Sequence, residues 1–175
     1  DLNAARDVAV TNLANLLPWV EKGYDIVSAE PTAAYTLKKS YPYLLKNRPD
    51  VVKLAEHSFE LFDYLLQVEE NVDNTLLQGK RFGFHCSCHQ RPIGSAKHAV
   101  AWLENHGAEI QRIETGTCCG MGGTFGMKCG PLGYDLSMAV GKPLFKLFND
   151  AEIDAIVTES RSEERRVGKE CRPRR

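Results

Sequence analysis

The sequence predicts an α/β fold, a mostly parallel sheet flanked by helices in Rossmann-like layers. Three observations predict it. Short apolar runs of strand length recur at 24–29, 80–85, 109–114 and 153–158. Between them lie stretches whose apolar residues repeat at three- and four-residue steps, the helical spacing. The cysteine-bearing segments follow directly on these runs, and open parallel sheets place their sites beyond the carboxyl ends of their strands.

The elements follow in order. Leu2 to Val20 reads as a helix, with Leu2, Ala5, Ala9, Leu13 and Leu16 on one face and Gly23 as its stop signal. Tyr24 to Ala29 reads as a buried strand. Pro31 opens a helix towards Tyr41, and Pro42 and Pro49 bracket a loop. Val51 to Leu66 is expected to be one helix, carrying Val51, Ala55, Phe59, Phe62 and Leu66 into the core. The polar segment Glu69 to Gln78 reads as a connector. Lys80 to His85 forms the next strand and delivers His85 to Cys88 at its end. Pro92 starts a helix that buries Ile93, Ala96, Val100 and Leu103 and ends at Gly107. Glu109 to Glu114 is a third strand. Leu136 to Phe148 is helical, with a break or restart expected at Gly141-Lys142-Pro143, and Ile153 to Thr158 is the fourth strand.

The 175 residues are 43% hydrophobic and 26% charged, the balance of a water-soluble globular chain long enough to bury a sizeable core. No run of about 20 apolar residues is present to span a membrane, and no secretory signal opens the chain. A start at Asp1 leads us to expect further chain ahead of it. The formal net charge of −1 hides an asymmetry. Residues 1–160 carry 15 basic and 20 acidic residues, whereas residues 161–175 carry seven basic and three acidic ones. That tail has no apolar periodicity and resembles the translation of a sequencing adapter; we expect it to be non-native, and its alternative is a basic segment for nucleic acid or lipid headgroups. The acidic body speaks against nucleic acid as a partner.

Six cysteines without a secretory signal point to metal or redox chemistry. The adjacent pair Cys118-Cys119 heads the glycine-rich run Gly120-Met121-Gly122-Gly123-Thr124-Phe125-Gly126. Vicinal cysteines do not readily close a disulfide on each other, because the ring strains the peptide between them. Both thiols can instead enter one site as soft ligands for an iron–sulfur cluster or zinc. Gly120, Gly122, Gly123 and Gly126 would let backbone N–H groups approach sulfur, or simply form a turn. Cys88 lies 30 positions before Cys118, inside His85-Cys86-Ser87-Cys88-His89. Three thiolates do not close a four-ligand set, and Cys86 and Cys129 are the available further donors. An extended segment would turn Cys86 and Cys88 to one face. His85 and His89 flank the site as ligands or as hydrogen-bonding neighbours of ligands. No spacing for dinucleotide binding and no Ser/His/Asp arrangement is visible.

Cys88-His89, the Cys118-to-Gly126 loop and the strand end Val157-Thr158-Glu159 together resemble the CCG, or cysteine-rich, domain. The resemblance extends over most of residues 1–160, including Ser28 to Ala33 and Tyr41-Pro42. Such domains occur in the B subunit of heterodisulfide reductase and in iron–sulfur subunits of FAD-linked oxidoreductases. Among the latter are the C subunit of anaerobic glycerol-3-phosphate dehydrogenase and the subunits of glycolate- and lactate-oxidising complexes. The resemblance implies two modules, 1–78 as the end of a first one plus a connector and 79–160 as a truncated second, ahead of the tail 161–175 expected above to be non-native. It implies Cys88, Cys118 and Cys119 as ligands of an iron–sulfur cluster, 4Fe-4S of cubane or non-cubane form. The family's final cysteines would fall near Ser160 and Glu163, where this chain has none, and Ala33 stands where some relatives place a first-module cysteine. The resemblance further implies electron transfer from a flavin-containing dehydrogenase subunit towards quinone. The place it implies is cytoplasmic, at the inner face of the cell membrane, through a membrane anchor in the complex. Disulfide cleavage at the cluster and a structural zinc site are the alternatives.

Overall fold

A computed structural model describes residues 1–113 and 117–161. The tail from 162 onwards, Cys171 with it, lies outside the described residues, as does Glu114. The architecture is α/β: two small parallel sheets, each flanked by helices.

The first unit begins with α1 (Leu2–Glu21), capped by Asp1, whose carboxylate accepts the Asn3 N–H at 2.9 Å. Its inner face buries Ala9, Leu13 and Val20. Gly23, at φ +88°, turns the chain into β1 (Ile26–Ser28), which pairs in parallel with β2 (Ser58–Glu60). Between them run α2 (Pro31–Tyr35), a π-helical turn at Thr36–Ser40, α3 (Tyr41–Leu44) and α4 (Pro49–Glu56). Leu37, Tyr41, Leu45, Val51 and Leu54 close the core over α1.

The single helix expected from Val51 to Leu66 is two helices separated by β2. Ser58 Oγ donates to the Leu54 carbonyl at 2.6 Å, taking up an acceptor at the end of α4. Glu60 then accepts the Phe62 N–H at 3.1 Å and restarts the chain as α5 (Leu61–Val68). The apolar positions stay in helical phase across the break, so periodicity alone conceals it. Pro49, expected at the edge of a loop, opens α4, and the loop narrows to a turn with Lys46 and Asn47 at φ +55° and +53°.

A connector leads to β3 (Arg81–His85), the centre of the second sheet. It pairs in parallel with β4 (Glu109–Ile113) on one side and β5 (Ala155–Val157) on the other. The helix expected from Pro92 comes as α6 (Gln90–Ile93) and α7 (Ala96–Asn105), divided by Gly94 at φ +74°. The break expected at Gly141-Lys142-Pro143 does not occur, and α8 (Leu136–Asp150) runs through it. Gly141 serves close packing there: a Cβ would lie 2.5 Å from the Phe145 ring and 2.7 Å from the Cys119 carbonyl oxygen. Phe145, Phe148 and Leu144 pack with Cys119 and Met121, so α8 carries the cysteine loop on its inner face.

The strand ends direct the site. Residues just past β1, β2, β3 and β5 meet at the junction of the two units. Thr32 bonds His89, the Arg161 N–H reaches Glu30, and Glu60 faces Glu159. Asp63 of α5 pairs with His98 of α7 across the same junction. No helix among the described residues is long and apolar enough to cross a membrane.

Candidate metal centre

Gly120 is where the sequence leaves no choice of residue. Its φ is +76°, and a Cβ would sit 2.0 Å from the Ser137 carbonyl oxygen of α8. Ser137 Oγ donates to the Gly120 carbonyl at 2.7 Å, which locks loop and helix together. Gly122 and Gly123, at φ +52° and +64°, then reverse the chain; Phe125 N–H donates to the Gly122 carbonyl and Gly126 N–H to the Met121 carbonyl.

This turn aims backbone donors at sulfur. Gly120 N–H donates to Cys118 Sγ at 3.3 Å and Met121 N–H to Cys119 Sγ at 3.4 Å. Hydrogen bonds of this kind stabilise negative charge on a thiolate, the form in which cysteine ligates metal. Cys119 is buried against α8 and Cys118 is half-buried. The donor chemistry therefore fits a thiolate-held metal or iron–sulfur group.

The other expected donors are spread around this pair. Cys88 and Cys129 are exposed. Cys86 is buried with Phe84, Ala99 and Val100. The chain does not stay extended after β3: Ser87 N–H donates to the Gln90 side chain at 2.8 Å and Gln90 N–H to Ser87 Oγ at 3.3 Å. That turn gives Cys86 and Cys88 different surroundings. His85 is buried, its ring edge-on to Phe148 at 6.4 Å. Among the described residues, no group of three His, Cys, Asp or Glu side chains is drawn close enough to hold a metal ion. The Arg91 guanidinium donates to the Thr117 carbonyl at 3.3 Å, tying the segment after Cys88 to the residue before Cys118.

The cysteine loop falls within a segment that has a family counterpart. The model of the CCG cysteine-rich domain matches residues 82–162. Residues 82–162 belong to that family. The chain is also similar to the C subunit of anaerobic glycerol-3-phosphate dehydrogenase from Escherichia coli K12, 29% identical over 160 residues, 89% of this chain and 39% of that protein. Lactate utilization protein A of Anoxybacillus flavithermus is 31% identical over 105 residues, 55% of this chain and 44% of that protein. Protein YkgE of Escherichia coli K12 is 32% identical over 129 residues, 69% of this chain and 53% of that protein. The chain thus spans about two fifths of the dehydrogenase subunit it matches (39%). No solved structure matches it.

Around the cysteine-rich domain the structure adds residues that motif reading missed. His89 is held by the first unit: Thr32 Oγ1 lies 3.0 Å from its Nδ1, and Tyr35 stacks on its ring with centroids 5.1 Å apart. Glu60 is fully buried with Oε1 unpaired, and both oxygens of Glu159 are buried. Burial pushes both carboxyls up, Glu159 to about 10, where the facing Glu60 adds to the rise. Facing buried carboxyls are compatible when they share a proton. The signal available in sequence was an acidic residue at or just past three of the strand ends: Glu30 after β1, Glu60 in β2 and Glu159 after β5.

Proposed function

We propose that this chain is part of an iron–sulfur electron-transfer subunit of a dehydrogenase complex. Cys118 and Cys119 hold the group, with Cys88 as a third thiolate. The observation that carries this reading is the pair of backbone N–H bonds on the two adjacent sulfurs. Such bonds raise the reduction potential of a group bound there. An iron–sulfur cluster supplies one-electron transfer when bound. The protein's part is to exclude water on the α8 side, through Met121, Leu144 and Phe145, and to leave Cys118 and Cys88 towards solvent for a partner.

The relative named as a subunit of a glycerol-3-phosphate dehydrogenase supports a dehydrogenase partner; a flavin as electron donor and quinone as eventual acceptor are the finer part of this proposal, taken from the family resemblance alone. Membrane attachment is then a property of the complex. The residues of the cysteine-rich domain that bind the group are the same under a disulfide-cleaving reading, and the two differ in substrate.

Anaerobic purification followed by iron, zinc and acid-labile sulfide analysis tests the proposal. Iron with equal sulfide and a spectrum that bleaches on reduction is expected. Cys118→Ser and Cys119→Ser should each abolish most of the iron, whereas Cys129→Ser should retain it. Zinc without sulfide after reconstitution would overturn the reading and leave a structural metal domain. Turnover of a disulfide substrate would reassign the group to catalysis.

A further inference from the structure

The junction between the two units buries two acids and offers them no cation. Glu60, at the end of β2, is fully buried. Its Oε2 accepts the Phe62 N–H, and its Oε1 has no hydrogen-bond partner among the described residues. Glu159, just past β5, faces it, and both Glu159 oxygens are buried without such a partner as well. Three carboxyl oxygens, all acceptors when ionised, are thus brought together by strand ends from two different sheets.

The neighbouring groups do not neutralise them. Glu30 at the start of α2 and Asp63 of α5 add negative potential. Asp63 is paired with His98 of α7, and the Glu30 carboxylate accepts from Thr32 and from the Arg161 N–H at 3.2 Å. The Lys38 ammonium donates to the Ser58 carbonyl at 2.8 Å and lies over the Phe59 ring. His89 is turned to Thr32 and Tyr35. Ion pairs among the described residues include neither Glu60 nor Glu159. Such a pair keeps its contact by sharing a proton; once both groups ionise, they need water. Water reaches them with least disruption if the strand ends part, because the packed cores lie to either side. One surrounds Leu13 and Leu54, the other Leu144 and Phe145.

We propose that Glu60 and Glu159 form a proton-operated latch: sharing a proton, they dock α2 against His89 and Arg161, and without it the strand ends part and free residues 87–94 and 159–161 while both cores stay folded. The freed segment is the one that follows Cys88 and that Arg91 ties to Thr117. Burial raises both carboxyls, so the docked form holds a proton that the parted form, its carboxyls in water, releases above their usual 4.5. Parting is therefore favoured as the pH rises, by up to about tenfold per pH unit. The latch needs no bound group, so its failure would leave the iron–sulfur reading standing.

Hydrogen exchange of the whole chain, read by mass spectrometry from about pH 5 to about pH 9 and corrected for the intrinsic pH dependence of exchange, provides the test. In the parent, opening of the peptides covering 30–35, 87–94 and 159–161 should rise by up to about tenfold per pH unit, while α1 and α8 stay level. Glu159→Gln places a permanent donor in the pair and should hold the same peptides protected at every pH. Glu60→Gln should do likewise, and if either variant fails to fold the other serves the comparison. Junction exchange that stays level in the parent would overturn the latch. A rise shared equally by α1 and α8 would also overturn it, reducing the pair to an effect on global stability. A rise that persists in the glutamine variants would overturn it by assigning the pH dependence to another group.

Discussion

A single hydrogen atom decides the centre's geometry at Gly120. Any side chain there must meet the Ser137 carbonyl at 2.0 Å while holding φ at +76°. Gly120→Ala is therefore expected to destabilise the fold by about 3 kcal/mol, combining a backbone clash with left-handed strain. Gly123 shares the left-handed φ, +64°, but faces open space. Gly123→Ala should cost only about 1 kcal/mol. Urea unfolding of the two variants separates close approach from conformational freedom: equal losses would show that strain alone sets the glycine requirement. In the sequence these glycines were legible as a loop near sulfur. Which of them met α8 was not, because that depends on a helix packing from 17 residues further on. His89's partners were hidden for a similar reason, since Thr32 lies 57 residues before it.

Elements were legible where period and punctuation agreed, and misread where a side chain overrode the period. Strand β3, helix α7 and the Gly107 stop follow from the apolar pattern. The division of α4 from α5 does not, because Ser58 and Glu60 end and restart the helices while the apolar phase continues. The connector after α5 was legible only as polar. Its anchor is Glu69, whose carboxylate accepts Trp102 Nε1–H at 2.6 Å and contacts His106 Nε2 at 3.1 Å. The His106 ring lies 3.9 Å from that of Trp102, and His106 Nδ1 is 2.7 Å from the Trp102 carbonyl. Glu69→Ala would leave two ring N–H groups of α7 and its C-cap without their acceptor. A loss of about 2 kcal/mol is expected, with faster amide exchange between 69 and 80. Unchanged exchange there would mean that the connector is held by its turns alone.

Across the whole molecule, two sheets bring their carboxyl ends to one junction, and the charge gathered there makes the junction sensitive to pH. Glu60 and Glu159 face each other from the ends of β2 and β5, with Asp63 and Glu30 adding negative potential to Glu159. Burial raises both carboxyls above their usual 4.5, Glu159 to about 10. The folded chain thus keeps a proton that the unfolded chain releases once the pH exceeds about 4.5. Stability from the pair is full below that pH and declines as the pH rises towards 10, by up to about 1 kcal/mol per pH unit. Glu159→Gln supplies the donor permanently: its amide can serve Glu60 Oε1 at any pH. The variant should match the parent near pH 5 and exceed it by about 2 kcal/mol near pH 8, within what a shared buried proton contributes. Urea midpoints from about pH 5 to about pH 9 measure this directly. A parent chain whose midpoint stays level over that range would show that the pair is ionised and solvated, and that the two units are joined by His98–Asp63 and the Thr32–His89–Tyr35 contacts without it.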